Sequence, residues 1–116
     1  MNPINIQVKN GTVAVDGIRE LNATNSSSVR DTVRCTLSDN ARTVELDLSE
    51  MSFIDCFGLG TLLAVHRMAR EHMGNVRLLN PTPAVQQILE LTRMHRLFPI
   101  VRREPVGRTS SLSRRV

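Results

Sequence analysis

Tryptophan and tyrosine are absent from this 116-residue chain, and its only aromatics are Phe53, Phe57 and Phe98. A surface that stacks bases on rings interleaved with basic side chains is thereby excluded. Lysine is nearly missing as well: Lys9 stands alone beside fourteen arginines and eleven acids, for a formal net charge of +4. Arg102, Arg103, Arg108, Arg114 and Arg115, offset by Glu104, supply that whole excess, so the first 101 residues are neutral. Nucleic acid is therefore not an expected partner. Cys35 and Cys56 give neither a metal-ligand spacing nor a redox pair, and both are expected as free thiols. No apolar run reaches the roughly 18 residues of a membrane span, because Gly58 and Gly60 flank Leu59 and His66 closes the stretch. Met1-Asn2-Pro3-Ile4-Asn5 has neither the basic region nor the apolar core of a secretory signal. A cytoplasmic protein without membrane insertion is expected. Phosphate-cradling loops, metal clusters and catalytic sets are also missing, so neither enzymatic activity nor a cofactor is expected.

What remains is a chain with 41% hydrophobic residues, enough to bury the core of one domain. Ile4, Ile6 and Val8 alternate with polar residues, Asn10-Gly11 supplies a tight turn, and Val13 and Val15 alternate again, which predicts a β-hairpin. A first helix, capped by Asn25 or a following serine, carries Val29, Val33 and Leu37 on its inner face and Cys35 on its outer one. Val44, Leu46 and Leu48 form a third strand. A second helix is expected from about Gly58 to Met73, with Leu59, Leu62, Leu63, His66, Met68 and Ala69 inward and Arg67, Arg70 and Glu71 in solvent. Val76 to Leu79 reads as a strand. Thr82 then caps a third helix with Pro83 at its first position, buried through Val85, Ile88, Leu89, Met94 and Leu97 and ended by Pro99. Ile100-Val101 can add a last strand. The order β-β-α-β-α-β-α-β implies an α/β fold, a mixed, largely parallel sheet with helices packed over it. Residues 1–103 form the expected domain, and the Arg-, Ser-, Pro- and Gly-rich residues 104–116 an expected basic, disordered tail.

Residues Val44 to Leu63 carry the most information. A buried strand runs into the polar turn Asp55-Cys56-Phe57-Gly58-Leu59-Gly60 and then into an apolar helix. Leu21-Asn22-Ala23-Thr24 precedes the first helix, and Asn80-Pro81-Thr82-Pro83-Ala84-Val85, Leu89-Glu90-Leu91 and Leu97-Phe98 mark the third. In this order and spacing, over residues 4 to about 101, these pieces resemble the STAS domains of bacterial anti-sigma-factor antagonists. The resemblance implies the STAS fold and a protein-binding module. It also implies a partner, an anti-sigma factor with a histidine-kinase-like ATPase fold, met through the 55–60 turn and the following helix. Family members typically carry Asp-Ser-Ser-Gly-Leu-Gly there, and a kinase phosphorylates the second serine. This chain keeps the frame and puts Phe57 at the acceptor position, where no phosphate can be added. Asn22 stands where the family usually has an aspartate.

A turn of this kind presents free N–H groups and the positive end of a helix dipole. Asp55 suits a helix cap, a partner contact, or both. Phe57 is either an exposed apolar anchor or a ring turned inward to pack. For Cys56 a small buried replacement of serine is preferred over a reactive thiol, because no base is placed beside it. Ser26, Ser27, Ser28, Ser110 and Ser111 could be alternative phosphosites, but caps and tail solubility explain them more simply. A bulky residue at Gly58 is expected to abolish docking and leave the domain folded. The other assignment that the resemblance allows is a structural STAS subunit of an ABC lipid-transport or stressosome-like assembly. Oligomeric state is left open.

Overall fold

A computed structural model describes residues 4–103; the tail read from the sequence at 104–116 lies outside them. Among the described residues nine elements follow one another: β1 (Asn5–Lys9), β2 (Thr12–Asp16), α1 (Ser26–Thr36), β3 (Thr43–Asp47), α2 (Cys56–Glu71), β4 (Val76–Leu79), α3 (Pro83–Leu91), a 3-10 turn (Met94–Arg96) and β5 (Ile100–Val101). The strands lie in the sheet in chain order, β1-β2-β3-β4-β5. The first pair is antiparallel and the other three are parallel.

Local chemistry explains the joints. Asn10 and Gly11 both have positive φ, 49° and 78°, the twist that a two-residue hairpin needs and that Asn-Gly supplies. Helix α3 begins as read from the sequence, on Thr82 with Pro83 behind it. It stops at Leu91, short of Pro99, because Arg93 enters the left-handed region (φ 62°) and the chain tightens into the 3-10 turn. Leu97 consequently faces solvent, while Met94 and Phe98 point inward. Asn25 occupies the cap position of α1, yet its side chain does not cap; it accepts from the Asn22 amide at 2.9 Å instead.

Three parallel crossovers step the same way across the sheet. Right-handed connections then place all three helices on one face. Burial agrees: Val13, Val15, Val44, Leu46, Val76 and Leu78 line that face and are closed to solvent. With Val33, Leu62, Val65, Val85, Leu89 and Phe98 they make one core.

The opposite face carries Ala14, Glu45 and Arg77 at matched register and is only half-covered. Glu45 accepts there from Arg77 at 3.0 Å (Nε) and from Arg103 at 3.0 Å, with a closer contact to the second Arg77 nitrogen. Burial pushes the Glu45 carboxyl up. The hydrogen bonds and charges of Arg103 and Arg77 outweigh it and hold the group below the ordinary glutamate value. Asn80 and Arg103 add a reciprocal pair of bonds, 2.9 and 2.7 Å, that seats the end of β5 against β4.

Candidate functional site

From Leu48 the chain leaves the C-terminal end of β3 and alternates between core and solvent. Met51 and Ile54 are buried, Ser52 and Phe53 are exposed between them, and Cys56 and Phe57 are exposed after them. Gly58 then turns in and Gly60 turns out. Two apolar anchors thus hold a loop whose other residues face water. Polar contacts fix it further: the Leu48 amide donates to the Leu79 carbonyl at 2.9 Å, and the Met51 amide to the Leu48 carbonyl at 3.1 Å. The Thr82 hydroxyl donates to the Met51 carbonyl at 2.8 Å and accepts from the Val85 amide at 3.4 Å. One hydroxyl therefore caps α3 and ties that helix to the loop.

Helix α2 starts at Cys56, two residues ahead of the expected Gly58, because Asp55 closes the first turn. Its carboxylate accepts from the Gly58 amide at 3.0 Å, and its carbonyl accepts from the Leu59 amide at 2.9 Å. The cap reading of Asp55 is thus realised, and the carboxylate stays half-exposed at the positive end of the helix. Thr61, buried in the helix, donates its hydroxyl to the Phe57 carbonyl at 2.9 Å.

The two open questions at residues 56 and 57 have structural answers. Phe57 is 52% exposed, so it is an outward ring and not core filler. Cys56 is exposed too, against the expectation of a buried replacement for serine. It stands at the first helical position, open to solvent. Leu63 was expected inward; it shares an outer face with Cys56, Gly60 and Arg67 and is exposed.

The two glycines differ sharply. A Cβ on Gly58 would stand 2.6 Å from Ile54 Cγ1 and 3.2 Å from Leu21 Cβ, both buried side chains. Gly58 is therefore a packing residue, and a bulky substitute there would break the seam between α2 and the loop before α1. This packing counts against the expectation that such a variant keeps its full stability. A Cβ on Gly60 would meet nothing within 4 Å.

Sequence reasoning passed over Phe53. At 60% exposed it is the second outward ring of this surface, two residues before Asp55. Its signal was rarity, as one of three aromatics in the chain. Asn22 belongs to the neighbouring loop, where its side-chain oxygen accepts from the Thr24 amide at 2.9 Å and organises the approach to α1. Among the described residues no cluster of three or more His, Cys, Asp or Glu could hold a metal ion. None of their helices is long and apolar enough to cross a membrane.

The sequence model of the STAS domain matches residues 3–106. Among solved structures, the chain resembles the protein TM1081 of Thermotoga maritima with a TM-score of 0.77 and 23% identity, over 97% of this chain and 95% of that one. It resembles the anti-sigma factor antagonist SpoIIAA in its unphosphorylated form with a TM-score of 0.75 and 20% identity, over 88% and 89% of the two chains. An anti-sigma factor antagonist from Mycobacterium paratuberculosis gives 0.69 and 20%, over 87% and 86%. At these identities the likeness is one of fold.

Proposed function

This chain belongs to the STAS domain family, and from that membership we propose that it is a non-catalytic protein-binding module that works as an anti-sigma-factor antagonist. It docks through residues 55–60 and the outer face of α2. Its partner is an anti-sigma factor with a histidine-kinase-like ATPase fold, met in the cytoplasm.

The observation that carries this reading is Gly60. It lies on the outer face of α2, has no positive φ, and borders open space. Glycine at such a place costs a helix about 1 kcal/mol relative to alanine. Nothing among the described residues repays that cost, whereas a partner whose backbone comes close to the helix would require a missing side chain. The neighbours support it. Phe57 and Phe53 expose their rings on either side of the Asp55 cap, and outward aromatics at a rigid turn are the side chains that anchor interfaces.

SpoIIAA is known in both an unphosphorylated and a phosphorylated form. A phosphate at this turn would add about two negative charges to the docking surface. Phe57 has no hydroxyl to carry it, so the module stays competent to bind. The test uses the purified domain and a kinase-fold anti-sigma factor from the same host. The parent and Phe57→Ser should both bind, only Phe57→Ser should be released by ATP, and Gly60→Arg should not bind. Equal affinity of Gly60→Arg and the parent would remove the surface from consideration. Capture of an ABC or multi-STAS assembly in place of an anti-sigma factor would favour the adaptor role over the antagonist.

A further inference from the structure

Strand β1 forms one rim of the sheet. It pairs with β2 along one side, and among the described residues no strand lies along the other. In a hairpin closed by a two-residue turn, Lys9 and Thr12 form the hydrogen-bonded pair beside the turn, and bonded pairs alternate from there. Asn5, Gln7 and Lys9 therefore direct their backbone groups at β2, while Ile6 and Val8 direct theirs outward. The side chains of Ile6 and Val8 lie on the helix side of the sheet, opposite the buried Val15 and Val13. Yet Val8 is 52% exposed and Ile6 is only half-covered.

Beside this rim runs a groove of about 890 Å³, with Ile4 and Ile6 on one wall and Asn25, Ser28, Val29 and Thr32 of α1 on the other. The helix side of β1 is thus left open between the strand and α1. The inward side chains of one more strand would border that opening.

We propose that a second copy of this chain supplies that strand, its β1 antiparallel to the first about a two-fold axis through Gln7. This register uses all five residues. Ile6 meets Val8 of the partner subunit and Val8 meets Ile6 of the partner subunit, so apolar side chains join across the seam beside the groove. The same two residues hold the outward backbone groups, so they form the bonded pairs of the new ladder. Lys9, the one charge of the strand, meets Asn5 of the partner subunit and not a second lysine, which avoids the penalty of like charges facing across strands. Unprotected edges of this kind are templates for pairing. The two five-stranded sheets run on as one. None of residues 55–60 lines the groove, so dimerisation leaves the docking turn open and stands apart from the function proposed for it.

Val8→Pro is the deciding variant. It removes an N–H that points away from β2, a place where edge strands tolerate proline, whereas Val8→Thr keeps that N–H. In sedimentation equilibrium from micromolar to submillimolar concentration, the parent and Val8→Thr should reach twice the chain mass. Val8→Pro should stay at the mass of one chain with an unchanged circular-dichroism spectrum. A parent that stays monomeric throughout overturns the proposal, and so does a Val8→Pro dimer as strong as the parent's. Should Val8→Pro unfold, amide exchange in the parent decides: Ile6 and Val8 should slow as concentration rises, and equal rates at both ends of the range overturn the pairing.

Discussion

Replacing Gly60 with alanine should stabilise the domain, and the same change at Gly58 should destabilise it, although only Leu59 separates the two glycines in the same helix. At Gly60 the new methyl meets nothing within 4 Å and the backbone is already helical. The gain is then the ordinary difference between glycine and alanine in a helix interior, about 0.5–1 kcal/mol. At Gly58 the methyl would stand 2.6 Å from Ile54 Cγ1 and 3.2 Å from Leu21 Cβ. Neither is the free end of a long side chain, and Ile54 and Leu21 are buried. Overpacking of this kind costs about 1–3 kcal/mol. Helix propensity returns less than about 1 kcal/mol of that, since the site lies in the first turn. The net loss is up to roughly 3 kcal/mol. Urea unfolding followed by circular dichroism resolves both shifts, and the melting temperatures should separate, each kcal/mol moving a domain of this size by about 4–8 °C. A Gly58→Ala variant as stable as the parent would refute the packing argument. A Gly60→Ala variant that lost stability would refute the claim that the domain itself has no use for that glycine.

Asp55→Ala should cost about 1 kcal/mol by stripping the cap from the Gly58 amide; an unchanged urea midpoint would count against the cap. Glu45 has a folded-state carboxyl value below its unfolded one, so its contribution is present above the ordinary value of 4.5 and fades as pH falls through the lowered value. Glu45→Gln should therefore flatten the acid limb of a plot of unfolding free energy against pH, and parallel limbs for the two proteins would contradict the Arg77–Glu45–Arg103 cluster. Cys35 and Cys56 are both exposed, so a thiol reagent should titrate two groups per native chain without a slow phase. A single fast group would mean that one of them is covered.

The fold was legible because its signals are local and repeated. Val13 and Val15, Val44 and Leu46, and Val76 and Leu78 alternate at the strand period, and Asn10-Gly11 and Thr82-Pro83 mark a turn and a helix start by chemistry alone. Misplaced features were those decided by neighbours distant in sequence. Leu63 and Leu97 carry the apolar character of core residues, but the first falls on the outer face of α2 and the second follows a reversal at Arg93 that residue type does not announce. Gly58 and Gly60 are identical letters in one motif. Only the position of Ile54 and Leu21 separates a glycine the packing needs from one it does not. The site was legible as a place, the strand-to-helix turn at Asp55, while the outward direction of Cys56 and Phe57 depended on the anchors at Met51 and Ile54.

Because the strands lie side by side in the order in which they are made, no strand has to be inserted between two that are already paired. Val13 finds Val44 and Val44 finds Val76 across connections of nearly equal length, each closed by a single helix. A growing chain can therefore dock its pieces one after another as they leave the ribosome, hairpin first. The two-residue β5 comes last, when the sheet it joins is already in place, and the reciprocal bonds of Asn80 and Arg103 fasten its end to β4. Assembly in this sequence keeps each closing loop short, which favours rapid folding for a parallel sheet.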